Sequence, residues 1–227
     1  MNRALKCAAA VLLLGSAGAA DLGKRTPVWP DTFLARVEAL AVLETLNAEL
    51  LSHDSATLTL EHWCDEHRLA SPARIVAMRV AGIDEAPSSD QRRELNVSDS
   101  EPVRYRRVRL LCGAAVLSEA DNWYVPSRLS AEMNTQLETT DTPFGKVVQT
   151  LRFRRHTLTA ELLWHPLPVG WEMAGAQVRG GSGALAVPAQ VLRHRAVLTL
   201  ADGTPVSEVI ETYTGSVLGF AVQSSPN

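Results

Sequence analysis

The chain has 227 residues, of which 46% are hydrophobic and 21% charged, and its formal net charge is −3. That length suffices for one domain with a real core, and the composition excludes collagen-like, coiled-coil and disordered classes. With no basic excess, neither nucleic acid nor an anionic membrane surface is an expected partner.

Arg3 and Lys6 precede a short apolar run at 8–14 and a run of small residues ending at Ala20, before Asp21. This is the layout of a secretory signal peptide over 1–20. It predicts an exported, periplasmic product, residues 21–227, with no membrane association once the leader is removed. The apolar run is well short of the about 20 residues that span a bilayer. Cys7 follows Ala4, Leu5 and Lys6 rather than a lipobox, so it is not read as a lipidation site. Cys64 and Cys112 remain in the mature chain. They could pair in an oxidising compartment, but Cys112 beside Leu110 and Leu111 also suits a buried free thiol.

Pro27 and Pro30 mark an extended lead-in. Asp31 can cap a helix whose apolar stripe is Phe33, Val37, Leu40, Leu43 and Leu46, with 47–52 continuing or restarting it. Asp54 or Ser55 caps a second helix. Residues 74–80 alternate as a strand, whereas 81–102 are polar and read as a loop insertion. Strands follow at 108–112 and 116–125 around a turn at Gly113. Residues 128–137 are helical, and Pro143-Phe144-Gly145 opens a short helix or turn. The alternation through 150–164 suits a strand pair, and 165–190 is a second loop-rich insertion. Residues 191–200 and 206–213 form a hairpin around Asp202-Gly203. Helices first and a strand meander after them predict an α+β domain: an antiparallel sheet with helices packed on one face.

Several of these segments resemble the chorismate lyase family. Leu50-Leu51-Ser52-His53-Asp54-Ser55-Ala56-Thr57 resembles that family's helix-breaking segment, and Arg107-Val108-Arg109-Leu110-Leu111-Cys112 its Arg-x-x-Leu-Leu-Cys strand. The stretch from Cys112 to Pro126 keeps the family spacing. Pro143-Phe144-Gly145 is similar to its Pro-Leu-Gly turn, and Asp202-Gly203-Thr204-Pro205 with Glu211 to its closing hairpin. The resemblance covers about 40–80 and 104–215, and it implies a buried ligand cavity between sheet and helices. It also implies cofactor-free and metal-free elimination of pyruvate from chorismate or a related cyclohexadienyl carboxylate, leaving 4-hydroxybenzoate. Arg107 would hold a carboxylate and Glu211, with Glu208 as competitor, would accept from the ring hydroxyl. Asp121, Asn122, Phe144 and Ala56 would contact the ligand. Asp121-Asn122 stand where the family carries Gly-Arg, which argues against an identical substrate. The same fold resembles the small-molecule domains of some transcription regulators, so a non-catalytic periplasmic binder of an aromatic carboxylate is the alternative. An envelope protein that has lost its pocket is a third reading.

Strand alternation alone puts Val108, Leu110 and Cys112 on a face opposite Arg107 and Arg109, and so leaves Arg107 undecided. The run His62-Trp63-Cys64-Asp65-Glu66-His67 fits no zinc spacing and reads as a solvated helix end. Gly180-Gly181-Ser182-Gly183 lacks the lysine of a phosphate loop, and no serine sits in a Gly-x-Ser-x-Gly elbow. Trp123 and Tyr124 must point to opposite faces of their strand, so one of them can approach the cavity.

Overall fold

A computed structural model describes residues 29–173 and 180–220; the leader expected at 1–20 and most of the lead-in lie outside the described residues. Helix α1 spans Phe33–Ser52, and its cap is Thr32, whose side chain accepts from the Ala35 amide. Asp31 instead takes the Arg36 guanidinium at 2.6 Å. The buried stripe is Ala35, Ala39, Leu43, Leu46 and Leu50, rotated from the expected one, with Val37 and Leu40 half-buried and Phe33 exposed. The two alanines that begin that face let the N-terminal part of the helix approach its neighbours closely, which bulkier residues would prevent. Ser55 caps α2, Ala56–Glu66, by accepting from the Leu58 amide.

The remaining elements are β1 Ile75–Arg79, α3 Ser89–Glu94, β2 Arg104–Cys112, β3 Ala115–Tyr124, α4 Ala131–Thr139, α5 Phe144–Val147, β4 Arg154–Leu162, β5 Gln190–Thr199 and β6 Pro205–Thr214. The six strands form one sheet in the order β1-β2-β3-β6-β5-β4. Every pairing is antiparallel, so the chain is α+β with an antiparallel sheet. The stretch at 150–164 holds one strand, not a pair. Residues 149–151 form a 3-10 turn, Arg152 follows in the left-handed region, and the partner of β4 is β5, from beyond the second insertion. The expected hairpin joins β5 to β6, and Gly203, at φ 85°, makes its turn.

One face of the sheet carries Ala77, Val108, Leu110, Ala120, Val209 and Tyr213, and packs against α1 and α2 through Leu43, Leu46, Leu50, Leu60 and Trp63. Replacing any of these fully buried leucines with alanine should cost about 2–5 kcal/mol. Cys64 of α2 is bonded to Cys112 of β2, with Cα atoms 6.3 Å apart. A second cluster on the same face gathers Tyr124, Phe144, Val148, Phe153 and Leu198 under α4 and α5. The first insertion is not a bare loop. Ser88 and Gln91 form a reciprocal capping box that starts α3. Leu95 beyond it packs on Trp123, Val125, Tyr105 and Ile210, on the opposite face of the sheet. Described parts of the second insertion run beside the start of α1, where Leu185 donates to the Trp29 carbonyl at 2.7 Å.

Candidate functional site

Between the two clusters of that face lies a cavity walled by β2, β3, β6 and the start of β4, and closed by the N-terminus of α2 and by α5. Its polar lining is Asp54, Arg106, Asn122, Arg155 and Glu211, with Ser55 and Thr57 at the α2 end. Val108, Ala120, Phe144, Phe153 and Val209 supply apolar walls. The free volume is about 40 Å³. That is far below the roughly 300–1,000 Å³ of pockets for drug-sized ligands. It is a slot for a thin group, and a ring-sized guest has to displace lining side chains.

Of the residues expected from sequence, Ala56, Asn122, Phe144 and Glu211 line this cavity together. Arg107 and Asp121 do not. They face each other across β2 and β3 on the other side of the sheet, with Arg107 Nε 3.6 Å from Asp121 Oδ1 and a third of the Arg107 side chain exposed. Tyr105 donates its hydroxyl to the same Asp121 oxygen. Burial and that carboxylate push the Tyr105 phenol up to about 12. The physical reason is strand parity. Cys112, Leu110 and Val108 point inward, so the next inward residue is Arg106, one short of the arginine the family motif indicates. Glu208 also faces away from the cavity, fully buried, and accepts from Arg195 Nε at 2.7 Å.

Arg106 is 7% exposed. Its Nη2 donates to the carbonyls of Thr140 and Thr142, its Nε has no partner, and it forms no ion pair among the described residues. Burial, and then the charge of Arg79, push it down to about 10, so it stays cationic at neutral pH without a balancing carboxylate. Asn122 sits beside it in register across β2 and β3. The Asn122 carbonyl oxygen takes the Ser207 hydroxyl, which turns its amide donors away from Ser207.

Arg155 was not expected from the sequence. Asp54 fixes the start of β4 by accepting from the Arg155 amide at 2.9 Å and from the Arg154 side chain at 3.1 Å. The Arg155 side chain then crosses the sheet, and its Nη2 donates to Glu211 Oε2 at 2.6 Å. Both side chains are more than nine-tenths buried. Burial works against the Arg155 charge, but Glu211 and Tyr213 together outweigh it and hold the guanidinium's pKa above its ordinary value. Tyr213 donates to the same Oε2 at 3.1 Å. Glu211 Oε1 has no hydrogen bond among the described residues. His194, directly across β5 and β6 from Glu211, meets Asn47 of α1 at 2.9 Å through Nε2. Burial, and then Arg155, push this imidazole down to about 4, so it is neutral.

Gly145 comes close enough to the α2 N-terminus that a Cβ there would lie 3.0 Å from Ser55 Oγ and 3.2 Å from Thr57 Oγ1. A glycine at that position thus lets α5 close the end of the cavity. Tyr124 is the aromatic of the Trp123-Tyr124 pair that faces this side, and it packs on Phe144 with ring centroids 5.8 Å apart. His62 of the run at 62–67 pairs with Glu66 at 3.1 Å.

The uncharacterized protein y4mC of Sinorhizobium fredii (strain NBRC 101917 / NGR234) is 54% identical to this chain over 213 residues, covering 93% of this chain and 90% of its own length. The chain belongs to the same family as y4mC. No protein-family model matches this chain. Among solved structures, PhnF from Mycobacterium smegmatis is similar with a TM-score of 0.48 at 12% identity, covering 90% of this chain and 95% of that one. The effector domain of the same PhnF gives 0.42 at 13% identity, covering 66% and 88%. A GntR-family transcriptional regulator from Enterococcus faecalis V583 gives 0.40 at 15% identity, covering 65% and 99%.

Proposed function

We propose that the cavity holds a small aromatic or cyclohexadienyl carboxylate, and that the chain is an exported, cofactor-free, chorismate lyase-like protein releasing pyruvate from such a ligand. The observation that carries this is Arg106, a buried guanidinium without a carboxylate partner, in the same apolar slot as a glutamate that keeps one oxygen free. An incoming carboxylate satisfies the Arg106 donors. The Glu211 Oε1 atom accepts from a hydroxyl at the other end. Standard strand spacing puts the two Cα atoms about 12 Å apart, two strands over and two residues along. Arg155 supports a doubly charged substrate, because it brings a second guanidinium to a cavity where Asn122 replaces the family arginine. Elimination needs only the ring–oxygen bond to break, a ring hydrogen to leave and the enolpyruvyl carbon to gain one. Positioning and fixed charge suffice for that. The paired cysteines support an oxidising destination.

A second reading, a binder without chemistry, is favoured by the Arg155–Glu211 pair, which already neutralises the acidic end. Mature protein given chorismate should release pyruvate in a coupled assay. Arg106→Ala should abolish the release, while Arg107→Ala should leave it within about twofold, because that exposed pair is worth at most about 1 kcal/mol. Absence of pyruvate together with thermal stabilisation by 4-hydroxybenzoate, lost in Arg106→Ala, would select the binder. Absence of both pyruvate release and thermal stabilisation would overturn the carboxylate assignment.

A further inference from the structure

Arg106 has a second aspect. Beside the cavity, at the β1–β2–β3 end of the same sheet face, lies an open groove of about 330 Å³ that Arg106 also lines, together with Arg79, Arg104, Tyr124, Asp84 and Glu138. The register explains why these groups meet. Arg104 and Arg106 are two apart on β2, Arg79 pairs with Val108, and Tyr124 pairs with Arg104, so all four side chains belong to one face. Three guanidiniums around one phenol repel one another unless something anionic sits among them. At present Glu138, from the end of α4, fills that role in part. Its carboxylate takes Arg104 and its backbone carbonyl takes Arg79. Arg79 forms no ion pair with a carboxylate among the described residues. Burial raises the Tyr124 pKa although Arg104, Arg106 and Arg79 pull it down, so its hydroxyl is a neutral donor.

We propose that this groove is a second anion site, for a compact doubly charged oxygen group, either a dicarboxylate or a phosphate. Arg79, Arg104 and Arg106 supply the charge and Tyr124 Oη a hydrogen bond. Guanidinium forks match both groups bidentately. The Glu138 carboxylate is the internal group that an incoming anion displaces. The groove shares Arg106 with the cavity but takes Arg79, Arg104 and Tyr124 from outside it, so anion binding through Arg79 and Arg104 is expected whether or not a ring enters the cavity.

The test is calorimetric titration of the exported chain with inorganic phosphate and, separately, with malonate, at constant ionic strength maintained with chloride. Saturable binding of at least one of them is expected, and which one binds more tightly identifies the source of the oxygen group. Arg79→Ala and Arg104→Ala should each weaken that binding at least tenfold, the scale of one lost charge-assisted hydrogen bond. Both side chains are exposed, so neither change should threaten folding. Glu138→Gln should strengthen binding several-fold by removing the internal competitor. Titration with 4-hydroxybenzoate should be unchanged in Arg79→Ala, which separates failure of the groove from failure of the cavity. The site is overturned if neither anion binds beyond the chloride control, if the two arginine variants titrate like wild type, or if Glu138→Gln weakens binding.

Discussion

Arg155, Glu211 and His194 meet where little water reaches, and of the three only the imidazole ordinarily changes charge near neutral pH. Inside the fold it titrates at about 4. In the unfolded chain it titrates at about 6.5. Between those values the unfolded chain takes up a proton that the folded one refuses. The stability tied to neutral His194 is therefore complete above pH 6.5 and is lost as pH falls toward 4. One such proton contributes at most about 1.4 kcal/mol per pH unit. Urea midpoints followed from pH 7 to 4.5 should fall more steeply in wild type than in His194→Gln, which retains a donor for Asn47; parallel curves would remove His194 from the account. Glu211, Asn122, Phe144 and Ala56, the residues named by the resemblance, line the cavity, whereas Arg107 and Asp121 do not. Arg106 was legible from alternation alone, counting back from Cys112, and was passed over because the motif pointed one residue later. Arg155 carried no local signal, since what makes it special is a partner on a strand two places away in the sheet.

Among the elements, a cap at Asp54 or Ser55 and the closing hairpin were visible in the sequence, because each depends on a few neighbouring residues. The rotation of α1 was not. Phe33, Val37 and Leu40 fit helical spacing as well as the true stripe does, and only contact with the sheet chooses between them. The strand at 150–164 read as two for a similar reason, since alternation marks extended chain without saying where its partner is. The bridge between α2 and β2 was one of two open alternatives, and it closes a loop of 48 residues. Cross-links over loops of that size stabilise by about 2–4 kcal/mol. The double change Cys64→Ala/Cys112→Ala should therefore lower Tm by on the order of 10 °C. Scanning calorimetry checks this, and an unchanged Tm would mean that the unfolded chain gains nothing from its release.

For the whole molecule, the order of helices before strands foretold the layers. The capping of the opposite face by the first insertion was hidden in a polar stretch whose few apolar residues, Leu95 and Val97, gave no periodic signal. The expected leader makes a prediction at this scale. When the full chain is expressed in a Gram-negative host, intact-mass measurement of the periplasmic fraction should find a product beginning at Asp21. Full-length protein confined to the cytosol would contradict it.

Cys64 and Cys112 lie on the two elements whose other ends hold Ala56 and Arg106, so the sulfur bridge braces opposite sides of one slot. Reduction would remove that brace, so under the proposed function a glutathione-rich buffer should weaken the slot's hold on a ligand while the sheet still stands.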